Sequence, residues 1–200
     1  MKTTRYTKKD KKKISEELLN SKIIAFPTDT VFGLACVYDS EEAKDNIIKA
    51  KGRDEGKPLP MMCSINQIET VAYINNKDRK IIEKFMPGAI TLVLKKKDLP
   101  DFVTSGKDTI AIRVPDDQWI IDLIQEVGKP LLVTSANLSD KGSLLKCEDV
   151  LKDMDNRIDG IVLEDAKGLQ ASTIVCTIED IKIFREGPIS LEAIKEAIYE

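Results

Sequence analysis

Two short segments carry side chains suited to binding a polyanion. Lys51-Gly52-Arg53 places two cations one residue apart, and Ser135-Ala136-Asn137 places a hydroxyl and an amide at the same spacing. A guanidinium offers a planar fork to phosphate or carboxylate oxygens, and an ammonium adds a compact point charge. The sequence therefore predicts a nucleotide site built from Lys51, Arg53, Ser135 and Asn137.

Each segment also has a purely structural interpretation. The apolar positions of residues 40–50 follow helical spacing, so Lys51 and Arg53 could be end-of-helix cations that favour the helix dipole. Ser135 and Asn137 could equally build a turn or a cap. Residue types alone leave both interpretations open.

The chain contains no histidine. This excludes Ser-His-Asp and Cys-His nucleophile systems and any His-based metal site. The segment from Gly52 to Lys57 is not a P-loop, because only three residues separate its glycines and Pro58 stands where Ser or Thr would hold magnesium. Catalysis must therefore use Lys, Arg, Thr, Ser, Asn and backbone groups, with carboxylates or a metal carried by the ligand.

Composition predicts one domain in a reducing compartment. The 200 residues are 42% hydrophobic and 32% charged, enough to bury a sizeable core. Residues 1–13 hold seven Lys or Arg against one Asp, a net +6 in a chain of net −3. We expect either a solvated segment leading into a helix or a flexible basic arm that contacts RNA. Four scattered cysteines and the lack of a long apolar run predict a cytoplasmic protein without a membrane span.

The predicted elements alternate irregularly. Helices are expected around residues 14–19, 40–50, 76–85, 117–127, 147–154 and from 190, and strands around 22–26, 59–65, 90–94, 109–114, 130–133, 160–163, 172–178 and 181–185. This predicts an α/β or α+β fold: a single domain with a twisted, mixed β-sheet flanked by helices. Residues 28–30 are expected to cap the element that follows them. Arg113 lies between apolar neighbours in a strand and needs an anionic partner, either a ligand carboxylate or an acidic side chain.

Six segments, in this order, resemble the motifs of the YrdC-type threonylcarbamoyl-adenylate synthases and together span roughly residues 20–190. They are Phe26-Pro27-Thr28-Asp29-Thr30-Val31-Phe32-Gly33-Leu34, Lys51-Gly52-Arg53 with Lys57-Pro58-Leu59, Pro87-Gly88-Ala89-Ile90-Thr91-Leu92-Val93-Leu94, Ala111-Ile112-Arg113-Val114-Pro115, Thr134-Ser135-Ala136-Asn137-Leu138-Ser139 and Ser172-Thr173-Ile174-Val175. One motif alone would be a weak signal, whereas the ordered set is specific. The resemblance is to the short, single-domain form of the family.

The resemblance implies a YrdC-like fold and a reaction that joins L-threonine, bicarbonate or CO2, and ATP into L-threonylcarbamoyl-AMP with release of pyrophosphate. The product would supply threonylcarbamoyladenosine in tRNA through a second enzyme, a transferase. The threonine carbamate would itself attack the α-phosphorus, so catalysis reduces to positioning and charge neutralisation. Mg²⁺ is expected to arrive with ATP, bridging its oxygens, with no metal motif on the protein.

The resemblance also assigns residues. The implied ATP contacts are Lys51, Arg53, Thr109, Ser135, Asn137, Ser143 and Arg185, of which Lys51, Arg53, Ser135 and Asn137 are expected to be catalytic. The implied threonine contacts are Thr28 or Thr30, Arg113 and Ser172. Within this assignment Arg113 pairs with the substrate carboxylate, in preference to a structural salt bridge.

The chain departs from the family pattern at three places. Met61 and Met62 stand where many members carry a histidine, Asp140 replaces a glycine, and Leu144 replaces a proline. Long members carry a further C-terminal domain, which this chain is expected to lack. The departures leave two alternatives: a YrdC relative that binds double-stranded RNA or tRNA without synthase activity, and a related enzyme with another amine or acyl acceptor.

Overall fold

A mixed sheet of eleven strands forms the centre of the computed structural model, which describes residues 2–139 and 141–199. The strands are β1 Thr4–Tyr6, β2 Ile24–Pro27, β3 Phe32–Val37, β4 Met61–Met62, β5 Ala72–Tyr73, β6 Ile90–Lys96, β7 Thr109–Arg113, β8 Leu131–Ser135, β9 Gly160–Val162, β10 Thr173–Cys176 and β11 Lys182–Arg185. Their order is β1-β9-β2-β3-β8-β4-β7-β6-β10-β11, and β5 pairs with β6 off this path. The sheet contains both parallel pairs, such as β1–β9 and β4–β7, and antiparallel pairs, such as β2–β3, β3–β8 and β6–β7. This confirms the predicted single-domain α/β fold with a mixed sheet.

Eight α-helices and two short 3-10 turns occur among the described residues. The helices are α1 Lys11–Leu19, α2 Glu41–Lys51, α3 Ile68–Val71, α4 Asn76–Phe85, α5 Asp101–Thr104, α6 Gln118–Val127, α7 Cys147–Met154 and α8 Leu191–Tyr199, and the turns are Lys8–Asp10 and Ile65–Gln67. Local sequence fixes the ends of α2: the Ser40 hydroxyl accepts a hydrogen bond from the Ala43 N–H, and Gly52 ends the helix at φ 61°. This geometry leaves Lys51 as the last helical residue, with Arg53 just beyond it.

The two faces of the sheet are covered unequally. One face packs against buried residues of α2, α4, α7 and α8 in the larger core cluster. The other packs against α1 and α6, whose Ile14, Leu18, Ile120 and Ile124 contact residues of β1, β2, β3, β8 and β9. The strands β6, β7 and β10 contribute nothing to this second cluster, so part of that face has no helix over it.

The strand β3 was not predicted from the sequence. All six of its residues are buried, because its two faces lie in the two different core clusters. A strand covered on both sides lacks the polar–apolar alternation that identifies a half-buried strand. Residues 28–30 therefore form the turn of an antiparallel β2–β3 pair and do not cap a helix. The strand predicted over 59–65 is reduced to Met61–Met62, although Met61, Met62 and Cys63 are buried as expected.

The expectation of a flexible basic arm over residues 1–13 is wrong for the part that the structure describes. Thr4–Tyr6 pairs in parallel with β9, and Tyr6 is buried in the core. Lys8 Nζ lies 3.2 Å from Glu164 Oε1, and Lys11 Nζ lies 2.9 Å from Asp122 Oδ2. The segment is held by ladder hydrogen bonds, an inward-facing aromatic ring and ion pairs to acidic residues far along the chain. Across the described ranges, no helix has the length and apolar character needed to cross a membrane.

Candidate functional site

A cavity of about 260 Å³ occupies the part of the sheet that α1 and α6 leave uncovered. Strand register shows how the floor is built: Arg113 pairs with Met62, and Ala111 pairs with Val93 on the neighbouring strand. Since side chains alternate between faces, Ala111 and Arg113 point to the same side of the sheet. The floor of the cavity therefore crosses several strands.

The cavity has a cationic, hydroxyl-rich lining around an apolar floor. Its charged side chains are Arg53, Arg113 and Arg185, and no Asp or Glu is among the lining residues that the structure describes. Its hydroxyl groups come from Thr28, Thr30, Thr91, Thr134, Ser135 and Ser172, and its apolar surface includes Met61, Met62, Val133 and Ile174. A lining of this kind suits a small anion that also carries a hydroxyl and an alkyl group.

Arg113 is buried and held by three groups at one end of this cavity. Its Nη2 donates to Asp29 Oδ2 at 2.6 Å, its Nη1 to Thr30 Oγ1 at 2.6 Å, and its Nε to the Gly88 carbonyl at 3.2 Å. Burial lowers the pKa of the guanidinium, and the Asp29 carboxylate acts in the opposite direction. Asp29 supplies the acidic side-chain partner that the sequence left open as the alternative, and the contact of Arg113 with a ligand carboxylate stays a prediction. Its position in the cavity lining still allows a ligand contact.

Thr28 and Thr30 have different roles in the turn before β3. The Thr28 hydroxyl donates to the Val31 carbonyl at 2.6 Å and accepts from the Thr30 N–H at 3.1 Å, so it stabilises the turn. The Thr30 hydroxyl accepts from Arg113 and lies 3.1 Å from the Thr28 hydroxyl. Both side chains line the cavity.

Ser172 lies in the opposite wall of the cavity, where it contacts two other lining residues. Its hydroxyl lies 2.7 Å from the Thr91 hydroxyl and accepts a hydrogen bond from Arg185 Nη2 at 3.1 Å. Arg185 also donates from Nε to the Ser172 carbonyl at 2.9 Å. Burial, followed by the charge of Arg113, lowers the pKa of Arg185. The structure thus brings Arg185, assigned to ATP by sequence resemblance, together with Ser172, assigned to threonine.

A second cavity, of about 350 Å³, adjoins the first and shares Arg53 and Ser135 with it. Its other lining residues are Lys51, Gly52, Asp54, Lys57, Asn137, Ser139 and Lys141. Four cations against one carboxylate make it suited to a polyanion. The two segments from which the sequence predicted a nucleotide site, more than eighty positions apart, therefore meet in one place.

Lys51 is 2% exposed and holds the loop that follows β8. Its Nζ donates to the Asn137 carbonyl at 2.5 Å and also to the Ser135 carbonyl. Its own carbonyl accepts a hydrogen bond from the Ser139 N–H at 2.9 Å. Burial, followed by the charge of Arg53, lowers the pKa of Lys51 to about 8.

Arg53 is half-buried between the two cavities. Within the described residues, its guanidinium donates only to the Pro58 carbonyl at 3.3 Å and, at the limit of a hydrogen bond, to the Lys57 carbonyl at 3.5 Å. No carboxylate of the described chain forms an ion pair with it. Arg53 is therefore the cation best placed to contact ligands in both cavities at once.

The remaining predicted positions lie near the cavities but do not line them. Ser143 is exposed in the loop before α7, next to Leu144, whose carbonyl accepts a hydrogen bond from the Phe32 N–H at 2.9 Å. Thr109 begins β7 and shares a face with Ala111, which does line the first cavity. Asp140, the departure expected near the phosphates, lies outside the described residues.

Two residues at the site were not singled out from the sequence. Asp29 is the ion-pair partner of Arg113, and Thr91 is the hydrogen-bond partner of Ser172. Both lie inside the motifs that carry the family resemblance, so the motif positions were a signal. Their roles depend on contacts between residues 84 and 81 positions apart, which local sequence does not encode.

Comparisons with known proteins agree with this geometry. A family model for Sua5/YciO/YrdC, described as "Telomere recombination", matches residues 16–187. The chain is 38% identical over 187 residues to the threonylcarbamoyl-AMP synthase of Bacillus subtilis strain 168, covering 90% of this chain and 54% of the relative. It is 38% identical over 184 residues to the putative threonylcarbamoyl-AMP synthase of Methanocaldococcus jannaschii, covering 90% of this chain and 86% of the relative.

The fold is similar to that of Pyrococcus abyssi Sua5 in a crystal structure complexed with L-threonine. The TM-score is 0.90 at 30% identity, with 99% of this chain and 60% of the Sua5 chain covered. The chain thus spans little more than half the length of the Bacillus and Pyrococcus proteins and most of the Methanocaldococcus one. Matches over nearly all of this chain show that it belongs to the Sua5/YciO/YrdC family.

Proposed function

We propose that this protein is an L-threonylcarbamoyl-AMP synthase that condenses L-threonine, bicarbonate or CO2, and ATP, and releases pyrophosphate. The observation that carries the proposal is the pair of adjoining cavities that share Arg53 and Ser135. A reaction between an amino acid and a nucleotide requires two such sites with a common boundary. The names of the two relatives and the threonine complex of Pyrococcus abyssi Sua5 support this assignment.

The first cavity is proposed to bind L-threonine. Arg113 and Arg185 are available to the substrate carboxylate, and the hydroxyls of Thr30 and Ser172 are close to those guanidiniums. For Arg185 this proposal replaces the ATP contact that the resemblance implies, because Arg185 lines the first cavity and not the second. Apolar atoms of Met62 and Val133 offer a surface for the substrate methyl group. This arrangement offers partners to three groups of the amino acid: its carboxylate, its hydroxyl and its methyl group.

The second cavity is proposed to bind the phosphates of ATP. Lys51, Arg53, Lys57 and Lys141 supply positive charge, while Ser135, Asn137 and Ser139 supply polar groups. Thr109 and Ser143 are retained as proposed ATP contacts from outside the cavity linings. Polyphosphate recognition by several cations and backbone groups needs no P-loop.

The proposed chemistry needs no nucleophile from the protein. A carbamate oxygen of carboxylated threonine forms a bond to the α-phosphorus, and the bond from that phosphorus to the pyrophosphate oxygen breaks. Arg53, at the boundary of the two cavities, is placed to contact the developing charge, and the cavity walls hold the reactants in line. Catalysis by position and charge is consistent with a chain that lacks histidine.

Magnesium is proposed to bind together with ATP. The described residues contain no group of three or more His, Cys, Asp or Glu arranged to hold an ion. The described residues are therefore compatible with a cation coordinated mainly by phosphate oxygens. Mg²⁺ commonly binds in this way, through substrate phosphates and few carboxylates. When bound, the ion would neutralise phosphate charge as pyrophosphate leaves.

The proposed product is a reactive mixed anhydride, so a second enzyme, a tRNA-modifying transferase, must take it up. We propose the cytoplasm as the site of this reaction and tRNA threonylcarbamoyladenosine as its purpose. Direct contact with RNA is a secondary proposal. The basic N-terminal segment that motivated it is folded against the sheet, and Lys8 and Lys11 form ion pairs there.

The proposal is tested by pyrophosphate release from ATP with magnesium and bicarbonate, with and without L-threonine. L-Serine and L-allo-threonine serve as alternative substrates, and Lys51→Ala serves as the impaired variant. Release that depends on threonine and is lost in the variant supports the synthase. Release indifferent to threonine, from folded protein, contradicts it, and salt-sensitive RNA binding without pyrophosphate release would favour the RNA-binding alternative.

A further inference from the structure

Gly168 lies directly against the backbone of Thr30. A Cβ atom at position 168 would lie 2.1 Å from the Thr30 carbonyl oxygen and 2.3 Å from its Cα, closer than the 3.0 Å limit that real Cβ contacts respect. These are backbone atoms, so rotation of a side chain cannot relieve the overlap. Glycine is required here by close approach of two chain segments.

Thr30 in turn fixes the orientation of Arg113. The Thr30 side chain is buried, and its hydroxyl accepts the 2.6 Å hydrogen bond from Arg113 Nη1. The neighbouring Asp29 carboxylate takes the other terminal nitrogen of the same guanidinium at 2.6 Å. Displacement of the turn at residues 28–30 would therefore move both groups that aim Arg113 into the cavity.

The segment containing Gly168 is attached on both sides. The Ala166 N–H donates to the Leu145 carbonyl at 2.8 Å, and the Thr173 N–H donates to the Ala89 carbonyl at 3.0 Å. Between these anchors, Ala171 and Ser172 line the cavity. A side chain at position 168 must therefore push against Thr30, because the segment can retreat only by breaking its anchors.

A second glycine, Gly187, packs against the opposite wall of the cavity, which carries Ser172. A Cβ atom at Gly187 would lie 2.4 Å from the Thr173 backbone nitrogen and 2.6 Å from the Ser172 carbonyl carbon. Ser172 is the residue that contacts both Thr91 and Arg185. The two walls of the cavity that carry Arg113 and Arg185 are thus each supported by a glycine that lies outside the cavity lining.

We propose that Gly168 is a positioning residue for the amino-acid cavity, acting through Thr30 on Arg113, and that Gly187 does the same through Ser172 on Arg185. The inference rests on the proposed function only in taking L-threonine as the ligand. The nucleotide cavity has no contact with either glycine, so substitution changes amino-acid affinity and leaves nucleotide affinity intact.

The test measures L-threonine and ATP binding by calorimetry, together with the two KM values, for Gly168→Ala, Gly187→Ala and the control Gly142→Ala. Among the residues that the structure describes, none apart from its chain neighbours comes within 4 Å of the Cβ position of Gly142. We expect Gly168→Ala and Gly187→Ala to weaken threonine binding by about tenfold or more, the loss of one charge-assisted hydrogen bond. The KM for threonine rises accordingly, ATP affinity stays within about twofold of wild type, and the control changes neither.

Unchanged threonine affinity in folded Gly168→Ala, or equal losses for threonine and ATP, overturns the inference. Absence of threonine binding by the wild-type protein contradicts the proposed function instead, and the two failures are therefore distinct. If Gly168→Ala does not fold, hydrogen exchange on the wild-type protein tests whether the segment around Gly168 is coupled to the turn at Thr30. Threonine should slow amide exchange in residues 166–169 as well as 28–31, and slowing of 28–31 alone would overturn the coupling.

Discussion

The ammonium nitrogen of Lys51 lies 2.5 Å from the carbonyl oxygen of Asn137. The same ammonium reaches the Ser135 carbonyl, and the Ser139 N–H returns a hydrogen bond to the Lys51 carbonyl. The end of α2 is thereby fastened to the loop after β8 through backbone atoms. A residue chosen from the sequence as a phosphate-binding cation is, in the structure, also a brace for the other half of the site.

Lys51→Met should weaken ATP binding by about tenfold or more and accelerate amide exchange in residues 135–139. The substitution keeps the length of the side chain but removes the donors that hold two carbonyls in place. Calorimetry and hydrogen-exchange mass spectrometry measure the two effects. Unchanged exchange in 135–139, with ATP affinity reduced, would show that Lys51 acts on the phosphates alone.

ATP affinity should decrease as the pH rises through about 8. Burial lowers the Lys51 pKa to that value from 10.5, so the ammonium that attracts the polyanion loses its proton there. Affinity should be level below pH 7 and fall by up to about tenfold per pH unit above pH 8. In Lys51→Met, this inflection should be absent. A pH profile that is identical in the two proteins would contradict the assignment.

Loss of the Lys51 proton should weaken ATP binding but increase the free energy of unfolding. Between pH 8 and 10.5 the unfolded chain keeps the Lys51 proton and the folded chain does not. Because the unfolded state then binds more protons, the contribution of this group to the free energy of unfolding increases with pH in that window. Urea unfolding of wild type and Lys51→Met across the window measures the difference.

Asp29→Ala should lower the free energy of unfolding by about 3–5 kcal/mol, because it leaves the buried Arg113 charge without its partner. The side chains of this pair are only 8% and 12% exposed. The matched control is Asp39→Ala, which breaks an ion pair with Lys129 whose side chains are 34% and 45% exposed, and should cost at most about 1 kcal/mol. Equal decreases in the free energy of unfolding of the two variants would show that the buried Asp29–Arg113 pair stabilises the fold no more than the exposed Asp39–Lys129 pair does.

Arg53→Ala should reduce ATP affinity by about 10–100-fold with little change in thermal stability. In the part of the chain that the structure describes, its guanidinium donates only to two backbone carbonyls, at 3.3 and 3.5 Å, so folding depends little on it. Lys49→Ala is the charge-matched control, since Lys49 is exposed one turn earlier on α2 and lines neither cavity of the site. Similar ATP affinity for the two variants would exclude Arg53 from the phosphate site.

Local signals were sufficient to predict most helices and the mixed sheet. The helix α4 matches its predicted bounds because Asn75 caps it through a hydrogen bond to the Asp78 N–H, and Met86-Pro87 follows its end. The strand β3 escaped prediction because long-range packing buries both of its faces. The pairing of the basic N-terminal segment with β9 was not predicted for a similar reason, since the paired residues are more than 150 positions apart.

The residues that meet in the second cavity could be predicted, but the arrangement of the two cavities could not. Lys51, Arg53, Ser135 and Asn137 converge as expected. The sequence does not reveal that α1 and α6 stop short of β6, β7 and β10, and it is this uncovered area that forms the first cavity. The supporting contacts of Asp29, Thr91 and Gly168 also depend on residues far apart in the chain.

The most direct test of the synthase assignment is mass spectrometry of the product formed from ATP, magnesium, L-threonine and ¹³C-labelled bicarbonate. We expect threonylcarbamoyl-AMP that carries the heavy carbon, formed by wild type and Lys49→Ala and greatly reduced with Arg53→Ala. Formation of AMP and pyrophosphate without any labelled threonine adduct, by protein that is folded and binds ATP, would contradict the proposed function.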